Sequence, residues 1–175
     1  MICDGAIETP RLIIRAFKLV EAAKLVAMFE DPLVARFVGD GQALSFEDAD
    51  LWVSRSNKNL EHYGYGTGAV VERSSNQLVG WAGFARPDDG PEQLIYGLAA
   101  ARWREGFGGE IVRALIEFAD ARAMNRLFAT VDPANSVSIR LLERHGFRLI
   151  ERMHLGEPDS DLYQRDRMGA DFASE

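Results

Sequence analysis

Trp103-Arg104-Glu105-Gly106-Phe107-Gly108-Gly109-Glu110 is the stretch on which the interpretation of this chain depends. It follows an apolar run over residues 94–99 and leads into an amphipathic run over residues 111–119. The order strand, glycine turn, helix is typical of phosphate sites, because glycines let the backbone come close and free N–H groups of a helix start point at the anion. Such a turn can also be a plain connection. The stretch therefore predicts a phosphate-bearing ligand only if a second motif supports it.

The spacing of the glycines narrows the ligand. The chain contains no G-x-x-x-x-G-K-[ST] motif, and Gly106, Gly108 and Gly109 do not form G-x-G-x-x-G. These are the patterns of nucleoside triphosphate and dinucleotide sites. We therefore expect a phosphate ligand of another class.

Length and composition favour a single domain over residues 1–175 with one sizeable core, because 175 residues with 47% apolar and 27% charged side chains are ordinary globular values. The net charge is −7. An acidic chain has no general attraction for nucleic acid or anionic membranes. It would accept a cationic amine, although modest acidity is common and mainly aids solubility. Cys3 is the only cysteine, and no secretory signal or membrane-length apolar run is visible. These features exclude a disulfide framework and predict a cytoplasmic protein without a metal site.

Hydrophobic periodicity predicts an α+β protein with a mixed sheet rather than a doubly wound one. Helices are expected over residues 20–29, from a Ser45 cap to about Glu61, over 107–123 and over 135–145. Strands are expected at residues 9–15, 68–73, 77–85, 93–99, 126–131, from 147 onward and at 161–165.

The second motif, residues 132–138, opens the helix after the strand at 126–131. Asn135 is a good N-cap, Gly146 fits the left-handed position after the helix, and Phe147 should contact Leu142. Each of these features also has a purely structural explanation. If the strands at 93–99 and 126–131 are neighbours, the helix starts at Gly106 and Asn135 lie at the same sheet edge and could hold one extended phosphorylated ligand.

These residues resemble a known family, the GNAT-type acyl-CoA N-acyltransferases, and within it the branch of ribosomal-protein N-terminal acetyltransferases. The resemblance covers nearly the whole chain. It includes the opening Glu8-Thr9-Pro10-Arg11-Leu12-Ile13-Ile14-Arg15 and is sharpest at residues 103–110, 135–138 and 145–147. It implies a mostly antiparallel sheet of about seven strands flanked by helices, and an acetyltransferase that uses acetyl-CoA as co-substrate.

The resemblance also assigns a cofactor-binding set. The glycine turn would hold the pyrophosphate of acetyl-CoA, and the pantetheine arm would pair with backbone near Leu98 and Ala99, with Asn135 bonding the same region. Arg104 stands where many relatives have glycine, so that it either crowds the turn or adds a cationic contact to phosphate. The residues expected at the turn are Trp103, Arg104, Gly106, Phe107, Gly108 and Gly109.

The implied reaction is direct attack of a free amine on the thioester. Many relatives supply a tyrosine acid in the late helix, four residues before the Gly-Phe pair, but Leu142 stands there. Ser138 is the substitute candidate for stabilising the thiolate, unless it only satisfies local backbone. Glu92 is the candidate base, unless it is a solvated loop carboxylate. Other candidates for the base are Glu72, Tyr96, His154 and Asp161, whereas Glu110 is interpreted as a first-turn acid that complements the helix dipole.

The acceptor is the least constrained part of this interpretation. The branch favours the N-terminal α-amine of a protein, while small-molecule amines stay open, and acceptor choice is expected to reside in residues 37–65 and 87–91. Trp52, Trp81 and Phe84 are expected to belong to the core or a pocket wall. A homodimer is possible. The alternatives to an enzyme are a degenerate relative that binds acyl-CoA without transfer, and a domain that binds no CoA.

Overall fold

Eight β-strands form one sheet in the computed structural model, which describes residues 6–39, 41–86 and 91–167. The strand order is β1-β2-β3-β4-β5-β6-β8-β7, and every neighbouring pair is antiparallel except β5 with β6. This confirms the α+β class with a mixed sheet, with one strand more than the expected seven. Within the described ranges, no helix is long and apolar enough to cross a membrane.

The strands are β1 Ile7–Glu8, β2 Leu12–Arg15, β3 Thr67–Glu72, β4 Leu78–Ala85, β5 Gln93–Leu98, β6 Arg126–Val131, β7 Arg148–Glu151 and β8 Asp161–Asp166. The α-helices are α1 Ala22–Phe29, α2 Pro32–Ala35, α3 Phe46–Tyr63, α4 Phe107–Ala121 and α5 Ser136–Arg144. Most predicted elements are therefore confirmed to within one or two residues, including all of β6.

The predicted first strand, residues 9–15, is wrong in one respect. Its first half turns back, so that β1 and β2 form an antiparallel hairpin in which Ile7 faces Ile14. Pro10 explains the turn, because it has no N–H for a ladder and restricts the residue before it to non-helical backbone. Thr9 closes the turn, because its backbone N–H donates to the Leu12 carbonyl and its hydroxyl oxygen accepts from the Leu12 N–H.

Two hydrophobic clusters cover the two faces of the sheet. One lies against α4 and includes the apolar face predicted for that helix, and all five of those side chains are at most 8% exposed: Ile111, Val112, Leu115, Ile116 and Ala119. The other lies against α1 and α3 around Phe29, Val53 and Trp81. Trp81 and Phe84 are each 2% exposed, which places both in the core.

Gly97 of β5 is fixed by its neighbour Trp81 on β4. The two residues are register partners, and the indole lies so close over Gly97 that a β-carbon there would sit 2.1 Å from Trp81 Cζ2. Any side chain at this position would have to displace a buried indole. The α3-side face of β5 is thus closed by Trp81, and Leu94 and Leu98 on its other face belong to the cluster against α4, so the strand is accessible to a ligand along its edge.

Candidate active site

Strands β5 and β6 pair in parallel and then separate. Their register consists of one residue pair, Gln93 with Phe128, at the beginning of β5. The remaining five residues of β5 therefore run beside a gap in the sheet. The prediction that the two strands are neighbours is confirmed, and the helices that follow them, α4 and α5, begin at the same end of the gap.

Backbone groups on the edge of β5 face this gap. Ala99 donates its N–H to the Val79 carbonyl at 2.9 Å, and peptide groups alternate in direction along an antiparallel pair. Tyr96 and Leu98 therefore direct their N–H and C=O groups away from β4 and toward the gap. The Leu98 carbonyl accepts a hydrogen bond from the Trp103 indole N–H at 2.9 Å.

The backbone groups of Ala99, a member of the predicted cofactor set, form hydrogen bonds within the protein. Its N–H is bonded to Val79, and its carbonyl accepts from the Arg102 N–H at 2.9 Å. Both backbone groups of Ala99 are thus engaged within the protein. The register directs the backbone groups of Tyr96 and Leu98 toward the gap, and a cofactor contact at Ala99 stays a prediction.

The glycine turn leaves the start of α4 without a side-chain cap. Gly106 is the N-cap residue and has a φ of +81°, and no side chain among the described residues caps the first-turn N–H groups of the helix. Gly108 and Gly109 are half-buried and lie in that first turn. The first turn of a helix leaves its N–H groups without intrahelical partners. These donors and the positive end of the helix dipole together form a site for an anion.

Gly108 also has a packing reason to be small. A β-carbon at this position would sit 3.2 Å from Leu141 Cδ2 and 3.8 Å from Tyr96 Cε2. The first turn of α4, the β5 edge and α5 therefore meet at Gly108. A side chain there would fill the space between the two helix starts.

Arg104 occupies the left-handed region of backbone space with a φ of +64°. A non-glycine residue in this conformation costs about 1–2 kcal/mol, which explains why glycine suits this position. Its side chain is exposed and forms no ion pair within the described part of the chain. The backbone keeps the turn shape in spite of the arginine, so Arg104 does not crowd the turn.

The glycine turn is fastened to the β1–β2 hairpin, a connection that the sequence analysis missed. Arg11 donates from Nη1 to the Glu105 carbonyl at 2.9 Å and from Nε to Glu110 at 2.7 Å. The Arg11 backbone N–H and the Thr9 hydroxyl also donate to Glu110. The Arg11 guanidinium lies 4.4 Å from the centre of the Phe107 ring. The one signal for this contact was that residues 8–15 carry part of the family resemblance.

Glu110 consequently does more than complement a helix dipole. Burial raises the pKa of its carboxyl, but hydrogen bonds from Thr9 and Arg11 and the Arg11 charge outweigh that effect, so that the net pKa is lowered. Its side chain is 11% exposed. Glu110 is therefore an ionised anchor at the first turn of α4.

The second helix start is closed by its own cap. Asn135 Oδ1 accepts from the Ser138 N–H at 3.2 Å, as expected for an N-cap. At the other end Gly146 has a φ of +84° and the Phe147 N–H donates to Leu142, which is the predicted cap. Ser138 is half-buried at this start, with its side chain near the Tyr96 hydroxyl.

Glu92, the candidate base, lies at the other end of β5. It precedes Gln93 and is six residues from Leu98, so it lies about 20 Å along the strand from Leu98. Its carboxylate accepts from the Tyr65 hydroxyl at 2.6 Å and forms an ion pair with Arg86. The Arg86 guanidinium lies 3.7 Å from the centre of the Tyr63 ring. The negative charge of Glu92 is thus balanced by a cation in direct contact.

The other candidate bases are engaged elsewhere. Glu72 accepts from Ser75 at 2.5 Å and pairs with Arg102, and these contacts lower its pKa. Asp161 accepts from the Met153 N–H at 3.2 Å, and His154 contacts Glu151 at 3.0 Å. Tyr96 is the member of this group that lies at the gap. Residues 87–90 of the expected acceptor loop lie outside the described residues.

Comparisons with known proteins agree with this architecture. The family model for the acetyltransferase (GNAT) domain matches residues 11–148. The uncharacterized N-acetyltransferase p20 of Bacillus licheniformis is 26% identical over 143 residues, which is 80% of each chain.

Solved structures show the same fold. The acetyltransferase from Agrobacterium tumefaciens superposes with a TM-score of 0.80 at 19% identity, over 94% of this chain and 95% of that one. RimL, a ribosomal α-N-protein acetyltransferase solved in complex with coenzyme A, superposes with a TM-score of 0.74 at 18% identity, over 92% of this chain and 97% of that one. The matched family model, the sheet gap and the glycine turn lead to one conclusion: the chain belongs to the GNAT acetyltransferase family.

Proposed function

We propose that this protein binds acetyl-CoA in the gap between β5 and β6 and transfers the acetyl group to the N-terminal α-amine of a protein. The observation that carries the proposal is the uncapped start of α4 beside the unpaired edge of β5. The first offers backbone donors to a pyrophosphate, and the second offers backbone groups to an extended arm with amides.

Different residues at the gap match different parts of acetyl-CoA. The N–H groups of Phe107, Gly108 and Gly109 would hold the pyrophosphate, with Gly106 shaping the turn and Arg104 adding a positive charge. Tyr96 and Leu98 would pair with the pantetheine arm, and the Asn135 amide would donate to it from the other side. Trp103 would support the arm indirectly, because its indole already holds the Leu98 carbonyl.

Ser138 is proposed to stabilise the thiolate that leaves. Its backbone N–H is used by the Asn135 cap, whereas its hydroxyl lies near the Tyr96 hydroxyl. That hydroxyl is a donor at the end of α5 that faces the gap, and the positive end of the helix dipole favours negative charge there. Apolar Leu142 offers no such donor one turn later.

The low pKa of an α-amine makes it a suitable acceptor for this site. The pKa of an α-amine is about 8, so that about a tenth of it is the free base at pH 7, whereas a lysine amine has a pKa of about 10.4. An α-amine acceptor therefore needs little help from a base. We propose that Glu92 either takes the proton of the amine through water or orients Tyr65 and Arg86 beside the acceptor. The α-amine specificity of RimL supports this acceptor class.

The test has two stages. Calorimetry with CoA measures donor binding, and we expect a micromolar or tighter dissociation constant. Release of free thiol from acetyl-CoA is then measured with a panel of N-terminal peptides, lysine-containing peptides blocked at the N-terminus, polyamines and amine antibiotics. We expect turnover with free N-termini. Binding of CoA without turnover on any amine would instead support an acyl-CoA-binding protein without transfer activity.

Glu92→Gln separates the two roles proposed for Glu92. A base role predicts that kcat falls at low pH more than at high pH, since the amine deprotonates unaided at high pH. An orienting role predicts a higher KM for the acceptor with the same pH profile. Glu72→Gln is the matched control, since Glu72 is the last residue of β3, which does not pair with β5 or β6.

A further inference from the structure

The hydroxyl of Tyr96 is a buried polar group for which donor binding provides no explanation. Its oxygen is shielded from solvent, and it has no well-formed hydrogen bond to any residue that the structure describes. An orphaned buried hydroxyl lowers the stability of the folded protein. A buried polar group without a partner in one state calls for a structural or functional explanation.

Tyr96 lies where the two helix starts meet. It is in the part of β5 that runs beside the gap, and its ring edge packs toward Gly108 at the first turn of α4. The Ser138 side chain approaches the hydroxyl from the first turn of α5, although the geometry falls short of a proper hydrogen bond. The phenol is thus close to the serine that the proposed function assigns to the leaving thiolate.

The protonation state of Tyr96 suits a proton donor. Burial raises the pKa of the phenol, and the nearby Ser138 hydroxyl lowers it by a smaller amount, so that the net pKa is raised. Tyr96 therefore carries its proton at neutral pH. A small rotation of either side chain would complete the hydrogen bond from Tyr96 Oη to Ser138 Oγ.

We infer that Tyr96 is a positioning residue that relays a proton to Ser138 when the thiol leaves; the inference rests on the proposed function. As the amine nitrogen bonds to the acetyl carbon, the carbon–sulfur bond breaks and its electron pair goes to sulfur. Ser138 Oγ gives its proton to sulfur, and Tyr96 Oη gives its proton to Ser138 Oγ. The attacking amine releases one proton to water, and water returns one to Tyr96 after CoA departs. The relay would replace the tyrosine acid that is absent at Leu142.

The pKa of the thiol in bound CoA tests this relay without any turnover. It is measured from the ultraviolet absorbance of the thiolate during a pH titration of the complex, in wild type, Tyr96→Phe, Ser138→Ala and the double variant. Hydrogen bonds to a thiolate lower its pKa, so we expect Tyr96→Phe to raise the thiol pKa by about one unit. We expect the double variant to match Ser138→Ala, because the relay acts through the serine. With an acceptor, kcat of Tyr96→Phe should fall about tenfold at an unchanged KM for acetyl-CoA.

Tyr163→Phe is the matched control, since it removes the hydroxyl of another buried tyrosine, 4% exposed, on β8. It should leave the thiol pKa and kcat unchanged. An unchanged thiol pKa in a Tyr96→Phe protein that still binds CoA would overturn the relay, and so would additive effects in the double variant. If wild type binds no CoA at all, the proposed function itself fails, which calorimetry shows before any titration.

Discussion

The starts of α4 and α5 lie at the same end of the sheet gap but are built in opposite ways. The α4 start has glycine at its cap, no side-chain cap, and its shape held from outside by Arg11 and Glu110. At the α5 start, the Asn135 side chain accepts a hydrogen bond from a first-turn N–H group. The difference teaches that a helix start is available to an anion when its shape is maintained without using its own N–H groups. The experiments below test this division, from the largest expected effect to the smallest.

Gly109→Asp should break the open start. A β-carbon at Gly109 meets only Leu141, at an ordinary 3.8 Å, so the backbone can accept the side chain. The new carboxylate complements the helix dipole but repels a pyrophosphate, so we expect unchanged or slightly higher thermal stability with about 100-fold weaker CoA binding. Calorimetry and a thermal melt measure the two quantities.

The matched control is Ser136→Asp, in the exposed first turn of α5. It adds the same charge at the closed start, and CoA affinity should change by less than about threefold. Equal losses in the two variants would contradict the division of roles between the helix starts.

Glu110→Gln should loosen the anchor of the open start. Its three hydrogen bonds from Thr9 and Arg11 are weakened, and we expect a loss of about 2 kcal/mol in the free energy of unfolding at pH 7. Urea unfolding of both proteins over a pH series measures this. Because the folded-state pKa of Glu110 is lowered, its ionic stabilisation is full above the unfolded pKa of about 4.3 and is lost as the pH falls through the folded value.

The difference in the free energy of unfolding between wild type and Glu110→Gln should therefore disappear in acid. Glu105→Gln is the control, because the Glu105 side chain is 40% exposed and 3.6 Å from Arg102. That variant should lose less than about 0.5 kcal/mol. If this difference in the free energy of unfolding stays constant down to the lowest pH, Glu110 acts through packing instead of charge.

Asn135→Ala should remove the side-chain cap at the start of α5. Removal of an N-cap side chain costs about 1 kcal/mol of folding stability. Asn135→Ser keeps an oxygen that can cap the helix but removes the amide donor proposed to contact the pantetheine arm. We expect the serine variant to recover stability without recovering CoA affinity. Recovery of both would leave Asn135 with the cap as its only role.

Arg104→Gly should have the smallest effect on the fold. Relief of the left-handed strain is offset by the greater freedom of glycine in the unfolded chain, so stability should stay within about 0.5 kcal/mol. Loss of the charge should weaken CoA binding about threefold and make it less sensitive to salt. Arg104→Lys, which keeps the charge, should bind CoA nearly as wild type does. Unchanged affinity in the glycine variant would remove Arg104 from the phosphate site.

Sequence reasoning succeeded where the decisive interactions are local. The bounds of β6, the Asn135 cap and the Gly146 stop follow from residues within one or two turns of each other. It failed where partners are distant in the chain. Glu110 was interpreted from its own helix alone, because its contacts with Arg11 span 99 residues.

Two further differences between the sequence-based predictions and the structure also arise from partners that are distant in the chain. The engagement of the Ala99 backbone depends on the register of β4 against β5, and the balanced charge of Glu92 depends on Tyr65 and Arg86. Neither register nor side-chain partners can be read from periodicity. The predicted strand at residues 9–15 missed its hairpin because Pro10 was placed inside the strand instead of at a turn.

The contact between Arg11 and Glu110 has a consequence for how the protein acquires its site. Closing a loop of this length is slow and entropically costly, and the contact is absent until the hairpin and α4 have both formed. During synthesis Arg11 leaves the ribosome well before Glu110 exists, so the turn receives its final anchor late. Competence to bind the coenzyme should therefore arise at the end of folding, and a partly folded chain should not sequester CoA.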